Sequence, residues 1–577
     1  AMTPRLASLR AIAARTPLML KINIDEGKLY YFGDIVFRGN TNYTAAELAA
    51  RLGIKKGDIF NNELLQQRIS YDPNGRDIST LYMDNGYLFF RADAIEKGIH
   101  GDTVDVEVRI AEGPIATIDR VIIKGNDRTH EHVIRRELRT LPGDRFSRSD
   151  IIRSQRELMA LNYFNPESMS INTPVNPQRG TVDIEYTVEE RPSDQLELSA
   201  GWGGVGRGVI GTLGVTFNNF SLRNLLRPET WSPLPSGDGQ RLSIRAQSNG
   251  RFFQSYNFSF TEPWLGGKRP MALSVSGYHN RFNNGRPQES SDFSQLLITG
   301  VSVGIGTRLR IPDDWFILQV SLDYQNLDLT RRFEFSIPTG SFHNFALNVG
   351  LSRNSIDNPT FPQHGSSIAL NMKLTLPYSL FSNRDYASMS AAEKYKLVEY
   401  HKWDLRTEWY TPLAKNLVFK ASAKLGFLGY YNKELGLTPF ERYELGGDGI
   451  SNFIGLQGKT IISMRGYKDP TNDVSEANRF GAAIYNKFTA EVRYLISPNP
   501  SATFYILAFA QAGNAWSNFR EYNPFQLKRS AGLGLRAFLP MFGTLGFDYG
   551  IGFDKNIPGG KIWDYGSFNI VLGFEPE

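Results

Sequence analysis

The chain has no cysteine among its 577 residues, which excludes disulfides, thiolate metal sites and thiol nucleophiles. It also lacks any long apolar run. The longest, Phe504 to Ala510 (FYILAFA), falls far short of the roughly 18–20 residues that a transmembrane helix needs, and mean hydropathy is −0.32. A membrane-spanning β-barrel passes that test, because its outward apolar residues alternate with polar ones and hydropathy averages out. Charge of one sign is scarce: the net is +5, with no Lys/Arg block of the kind that binds nucleic acid. What the chain does have is glycine, 54 residues, and 12% aromatics. That pairing suits tight turns and aromatic girdles.

Residues 1–20 interleave Arg5, Arg10 and Arg15 with Ala and Leu, leaving no clean apolar core for a signal peptide. This segment carries no assignment. Beyond it, an internal repeat emerges. Glu26-Gly27, Gly39-Asn40, Gly57-Asp58 and Phe60-Asn61 recur as Glu112-Gly113, Gly125-Asn126, Gly143-Asp144 and Phe146-Ser147, each pair offset by 86 (for example 113 − 27). Self-similarity of this kind means two copies of one supersecondary unit. In the second copy, Ile115 to Lys124 alternates as a strand, and Thr129 is placed to cap a first helix. Ser147, with Asp150 in the capping-box position, opens a second helix. Two strands follow, roughly Ser168 to Val175 and Thr181 to Glu189. The unit is β-α-α-β-β, and in the first copy Tyr71 to Thr80 reads as an insertion in the second helix. Exposed sheet edges on such units can accept a strand from another chain.

From Gln195 to Phe574 the chain alternates apolar and polar almost throughout, for instance over Leu196–Trp202, Leu242–Gln247, Phe252–Phe260, Ala272–Tyr278, Leu318–Tyr324, Phe345–Leu351, Val418–Leu425, Ala531–Phe538 and Phe568–Phe574. About 16 strands can be counted, an even number with short and long connections, as in outer-membrane barrels. A soluble sandwich would need several domains, and no linkers separate them. The expected fold is therefore two α+β modules (21–113 and 114–191) followed by a 16-stranded antiparallel transmembrane β-barrel (192–577). Such a barrel must close between its first and last strands. Leu196, Leu198, Gly201, Gly203 and Gly204 on one side and Gly566, Phe568, Ile570, Leu572, Gly573 and Phe574 on the other define that lateral seam, whose glycines weaken packing.

One segment, about Tyr430 to Phe480, is several times longer than an ordinary loop. It contains Met464-Arg465-Gly466-Tyr467. Folded into a barrel, its arginine can meet an inner-wall carboxylate. Parity on Asn486–Tyr494 sends Phe488, Val492 and Tyr494 outward and Lys487, Glu491 and Arg493 inward, making Glu491 a candidate partner. The same argument on the next strand turns Gln511 inward.

Paired modules, the strand array and Arg465-Gly466-Tyr467 in a late long loop together resemble the BamA family of outer-membrane β-barrel assembly factors, with POTRA modules ahead of a barrel. Phe260-Thr261-Glu262-Pro263-Trp264-Leu265-Gly266-Gly267 and Pro233-Leu234-Pro235-Ser236-Gly237-Asp238-Gly239-Gln240 add to the likeness. The resemblance implies an outer-membrane barrel with periplasmic modules in a Gram-negative bacterium. It also implies a central subunit that folds and inserts client outer-membrane proteins by strand templating at a lateral gate, together with assembly-complex lipoproteins. It implies that the loop packs against acidic residues on the two following strands: the first position falls on Glu491, while the second falls on Gln511, a departure from a carboxylate. Family members usually carry more than two modules, so further N-terminal modules are expected. Two other functions fit the array: a two-partner-type secretion pore for a single exoprotein, and a passive porin, against which the modules and an occluding loop both argue. Enzyme readings find no support. Gly458-Lys459-Thr460 lacks the earlier glycine of a phosphate loop, Gly201–Gly208 lacks a following helix, and His130 and His132 lack a third ligand nearby in sequence. No cofactor or metal is expected.

Overall fold

The computed structural model describes residues 28–573 other than 73–76, 177, 203–208, 232–233, 314, 333–335, 359, 383, 448–458, 500–501, 540–542 and 556–560. Residues 1–20, Glu26, Gly27, Gly203, Gly204 and Phe574 lie outside this set. The chain forms two compact units: one holds the chain to Asp127 together with Glu137–Arg191, the other Arg128–Arg136 together with Pro192 onward.

The first module runs β1 (Tyr31–Arg38), α1 (Ala45–Leu52), α2 (Asn62–Ser70), α3 (Ile78–Met83), β2 (Arg91–His100), β3 (Thr103–Ala111). Its sheet order is β1-β3-β2, with β1 parallel and β2 antiparallel to β3. Each helix starts on a side chain that satisfies an otherwise orphaned N–H. Thr44 and Glu47 form a reciprocal capping box, Asn61 accepts from Leu64 N–H, and Asp77 accepts from Thr80 N–H. The inserted segment breaks the second helix into α2 and α3. Phe32, Leu48, Leu65, Ile69, Tyr82 and Val106 close the core beneath.

The second module runs β4 (Thr117–Lys124), α4 (Glu131–Arg135), α5 (Arg148–Ala160), β5 (Ser170–Asn172), β6 (Val175–Asn176), β7 (Thr181–Thr187). The strand expected over Ser168–Val175 is two short pieces, both antiparallel to β7. Ser147 caps α5, accepting from Asp150 N–H at 3.1 Å. Thr129 does not cap α4: His130 holds that position without a side-chain cap bond, and the Thr129 hydroxyl accepts from Asn219 Nδ2 at 2.8 Å instead. The repeat has a steric basis at one pair of glycines. Gly39 (φ 88°) and Gly125 (φ 86°) cross a neighbouring strand so closely that a Cβ would strike the carbonyl oxygen of Ile110 or Val188.

The second unit is a single 16-stranded sheet. Its first half is β8 (Gln195–Trp202), β9 (Val209–Phe220), β10 (Gln240–Ser248), β11 (Phe253–Glu262), β12 (Met271–Asn283), β13 (Gln295–Arg308), β14 (Phe316–Thr330) and β15 (Gly340–Asn354). Next come β16 (Gly365–Thr375), β17 (His401–Ala414) and β18 (Leu417–Gly429). The long segment then contributes β19 (Arg442–Leu445) and β20 (Lys459–Ile462), which pair with each other in parallel outside the large sheet. The array resumes with β21 (Ile484–Ser497), β22 (Thr503–Trp516), β23 (Lys528–Leu539), β24 (Gly543–Gly552) and β25 (Gly566–Gly573). Every neighbouring pair in this sheet is antiparallel, and β18 pairs directly with β21. Period-two burial follows the sequence: Phe488, Val492 and Tyr494 are exposed while Lys487, Glu491 and Arg493 are buried. On the rim where β8 starts, β17 and β18 join through 415–416 alone, whereas the opposite rim carries 376–400 and 430–483.

Glu112, at the end of β3, ties the first module's sheet to the turn after β1. Burial pushes its carboxyl up, but the N–H groups of Asn42 (2.9 Å) and Thr41 (2.7 Å), the Thr41 hydroxyl and the Tyr82 hydroxyl (2.9 Å) outweigh this and hold it down to about 2. A depressed carboxyl stabilises the fold above its ordinary value of about 4.3, and that contribution is lost as pH falls toward 2. Pulse proteolysis of the full chain by pepsin should show cleavage in the first module rising between about pH 4.5 and 2. Glu112→Gln should raise cleavage at the upper end of that window and flatten the dependence.

Candidate functional site: the lumenal loop and the sheet ends

The 430–483 connection turns inward and builds its own core. Met464 and Tyr467 are fully buried, in one cluster with Phe440, Tyr443, Leu445, Ile462, Tyr485 and Trp516. A tight turn, with Tyr467 N–H donating to Met464 O at 3.2 Å, carries Arg465 and Gly466 at its tip. Gly466 has φ 90°, and a Cβ there would lie 3.0 Å from Gly552 N and from Ser530 Cβ. The facing wall also lacks side chains: a Cβ on Gly550 would meet Gly466 N at 2.9 Å, and one on Gly552 would meet Gly466 O at 2.7 Å. Backbone lies on backbone here.

Arg465 is only 6% exposed. Its Nη2 donates to Glu491 Oε1 at 2.5 Å, and the guanidinium lies over the Phe509 ring at 3.7 Å. Glu491 is shared, its other oxygen accepting from Arg493 Nε at 2.8 Å. Gln511 is also present, but its Oε1 accepts from the Arg465 backbone N–H at 2.9 Å, not from the guanidinium. The second carboxylate comes from β24: Asp548 Oδ2 is 3.8 Å from Arg465 Nη1 and is held in a bidentate pair with Arg536, both contacts at 2.8 Å. Sequence reasoning did not single out Asp548 or Phe509. The signal for Asp548 was its being the one acid within the alternating Gly-Thr-Leu-Gly-Phe-Asp-Tyr-Gly of β24. Tyr467 completes the seat, donating to Arg529 O at 2.7 Å.

A second clasp runs the other way. Glu441, in the loop and at φ 62°, is gripped by two wall lysines, Lys373 of β16 and Lys402 of β17, the latter at 3.2 Å. Lys402 also donates to Thr460 Oγ1 at 2.7 Å. Lys459 and Thr460 open β20, where Lys459 Nζ lies 3.3 Å from Glu444, while Gly458 lies outside the described residues.

At the sheet ends, β8 pairs with β9 and β25 with β24, and among the described residues no pairing joins β8 to β25. Leu196 and Leu198 are 73% and 82% exposed, and Phe568 61%. Gly201 lies in β8; Gly566, Ile570, Leu572 and Gly573 lie in β25.

Comparison with known proteins places these features. An Omp85 superfamily domain model matches residues 236–575, more than half of the chain. The chain belongs to the Omp85 superfamily. Ahead of the Omp85 domain, the POTRA model, described as a surface antigen variable number repeat, matches residues 30–113 and 116–191. The outer membrane protein assembly factor BamA of Neisseria meningitidis is 23% identical over 87% of this chain and 59% of its own length. That of Nitratidesulfovibrio vulgaris is 23% identical over 96% of this chain and 63% of its own. The chain thus spans about three-fifths of the length of these curated relatives. The solved structure of BamA from Haemophilus ducreyi lacking POTRA domains 1–3 shares the fold, with TM-score 0.59 and 19% identity over 94% of this chain and 98% of that one. CdiB from Escherichia coli also shares it, with TM-score 0.50 and 14% identity over 98% and 94%.

As an Omp85 chain, this is an outer-membrane barrel with POTRA modules on the periplasmic side. The rim on which β8 starts is the one continuous in sequence with those modules, hence periplasmic. On it the fold brings Asp238, 108 residues away in sequence, to His130 and His132 as a third ligand-type side chain, where the sequence showed none nearby. Asp238 Oδ1 lies 2.8 Å from His130 Nδ1 and 3.7 Å from His132 Nε2, while Oδ2 accepts from Ser221 Oγ at 2.6 Å. Burial pushes the His132 imidazole down. Arg136 donates to Asp238 O at 3.5 Å. With an imidazole nitrogen and the Ser221 hydroxyl already on this carboxylate, the cluster reads as a hydrogen-bonded contact.

The loop seat gives an ordering that can be measured. Glu491→Ala strands a buried guanidinium and should weaken the seat by about 3–5 kcal/mol. Gln511→Ala orphans one buried N–H and should cost about 1–3 kcal/mol. Limited proteolysis of residues 459–483 in the folded barrel reads the difference, and equal release by both variants would contradict it.

Proposed function

We propose that this protein is the central subunit of an outer-membrane β-barrel assembly machinery, folding and inserting client outer-membrane proteins through a lateral gate between β8 and β25. One observation carries the reading: a sixteen-stranded sheet in which β8 and β25 each have a partner on one edge only among the described residues. In hydrocarbon an unpaired backbone N–H or C=O costs several kcal/mol, so such edges favour a further strand. A client strand pairing with β8 would find its register templated, and each later strand would be added to the last.

No covalent bond changes in this scheme, and no nucleotide is needed. The client's own closure, which pairs all its backbone groups, supplies the driving force. The loop seated by Arg465 against the inner wall narrows the lumen, favouring passage of clients along the wall and not through the pore. The paired POTRA modules, with the edge strand β2, offer sites where an unfolded client or an accessory lipoprotein can add a strand. The names of the assembly-factor relatives support the same role. The second reading, a secretion pore dedicated to one exoprotein, draws on the likeness to CdiB.

Depletion in the host followed by outer-membrane proteomics separates the two. Loss of many unrelated barrels is expected; loss of a single exported protein would establish the secretion reading. The gate has its own test, made simple by the absence of native cysteine. Cysteine pairs scanned across β8 and β25, such as Leu198→Cys with Phe568→Cys, should stop client insertion when oxidised and restore it on reduction. Insertion that continues with the seam locked would exclude strand templating there.

A further inference from the structure

Three successive connections on the periplasmic rim share one chemistry. In 221–239, two single-turn 3₁₀ segments, Asn224–Leu226 and Pro228–Thr230, present Leu226 at 88% exposure and Trp231 at 40%, with Arg223 exposed beside them. In 263–270, Lys268 and Arg269 are exposed. In 309–315, Arg310 is exposed beside Ile311 (84%) and Trp315 (54%). Among the described residues of these three connections, Glu229 is exposed and the part-exposed Asp313 is paired with Arg353 at 2.9 Å.

The apolar exposure is not slack in the loop. Leu222 N–H donates to Gln240 Oε1 at 2.6 Å, Asn224 Nδ2 to Ser236 O at 3.1 Å, and the Trp231 indole N–H to Asn224 O at 2.9 Å. These bonds pin the segment through Asn224, Ser236 and Gln240, and its apolar side chains are held out. Exposed patches of this kind mark an interaction surface. Its continuation identifies the occupant: the patch runs into the barrel's lipid-facing belt, where Ile244 of β10, Phe258 of β11 and Ile317 of β14 point outward. Trp315 stands two residues before Ile317. Tryptophans beside exposed cations at the foot of a lipid-facing wall match the headgroup level of a bilayer.

We propose that this rim sector is a docking surface for anionic phospholipid of the periplasmic leaflet. Leu226, Trp231, Ile311 and Trp315 enter the boundary between headgroups and acyl chains, and Arg223, Lys268, Arg269 and Arg310 take the phosphates. The sector binds the leaflet to the half of the barrel that begins with β8. It requires only that the barrel lie in a membrane, so it stands or falls separately from client assembly.

The full chain carrying Leu226→Cys, its one cysteine, can be labelled with an environment-sensitive fluorophore and reconstituted in phosphatidylcholine vesicles with or without phosphatidylglycerol. The label should be quenched by lipid brominated near the top of the acyl chain and protected from aqueous iodide. A label at Gln363, exposed on the same rim, should not show this pattern. Native mass spectrometry of the released protein should retain phosphatidylglycerol over phosphatidylcholine. The R223E/K268E/R269E variant should lose that preference, at roughly fivefold per cation near the surface and so on the order of a hundredfold for the three. Iodide quenching at position 226 without bromolipid quenching overturns the proposal. Shielding from both quenchers also overturns it, because a protein would then cover the patch. Equal retention of the two lipids removes the anionic specificity.

Discussion

A guanidinium cannot be buried without an anion to meet it, and Arg465 is buried. That requirement organises the barrel interior. Glu491 and Asp548 must project from β21 and β24 to the same point, which fixes the stagger of the strands between them. Phe509 must lie flat beneath the planar cation. The loop backbone must come close enough for a short side chain to reach, and it does so where Gly466, Gly550 and Gly552 remove the intervening atoms. The opposing pair, Glu441 against Lys373 and Lys402, holds another part of the loop with the charges exchanged. A loop fastened by one pair could swing about it. Fastened by two of opposite sense, with a core between them, it has one seat.

This seat has a counterpart in the wall. Fourteen of the sixteen strands have both edges paired, and β8 and β25 are the two at the ends of the sheet. In lipid an unpaired edge is the costliest feature a backbone can present, while the inner wall from β16 to β24 finds partners for several of its charges in the loop. Among the described residues, the strand edges without a partner in this sheet are those of β8 and β25.

Much of this was legible in the sequence because period-two alternation survives in any barrel, whatever its curvature. The module repeat was legible because the turns demand glycine at matching places, Gly39 and Gly125 among them. Parity placed Glu491 and Gln511 on the inner wall, where both lie against Arg465. Parity does not give stagger, so which of several inward residues meets the arginine depended on strand register, and Asp548 and Phe509 went unnoticed. Gln511 reaches the arginine through its backbone, a contact no side-chain pattern encodes. The Thr129 cap was misread because a distant amide, Asn219, competes for the hydroxyl. Asp238 was missed beside His130 for the same reason: the two are 108 residues apart. The split of β5 from β6 left no trace, since strands of two or three residues are too short to alternate.

The contact of Gly466 with Gly550 and Gly552 has a consequence for how such a protein can change over generations. Most interfaces drift by compensation: one side chain grows, its neighbour shrinks, and the fit is recovered. Here the atoms that would meet a new Cβ first are largely backbone, so a second change can make little room for a first. The arginine's partners can be exchanged among acids and amides, and the surrounding aromatics among themselves, but this patch has no neighbouring sequence to move into. Diversification of the loop must therefore proceed around a fixed point of three residues with no atoms left to give up.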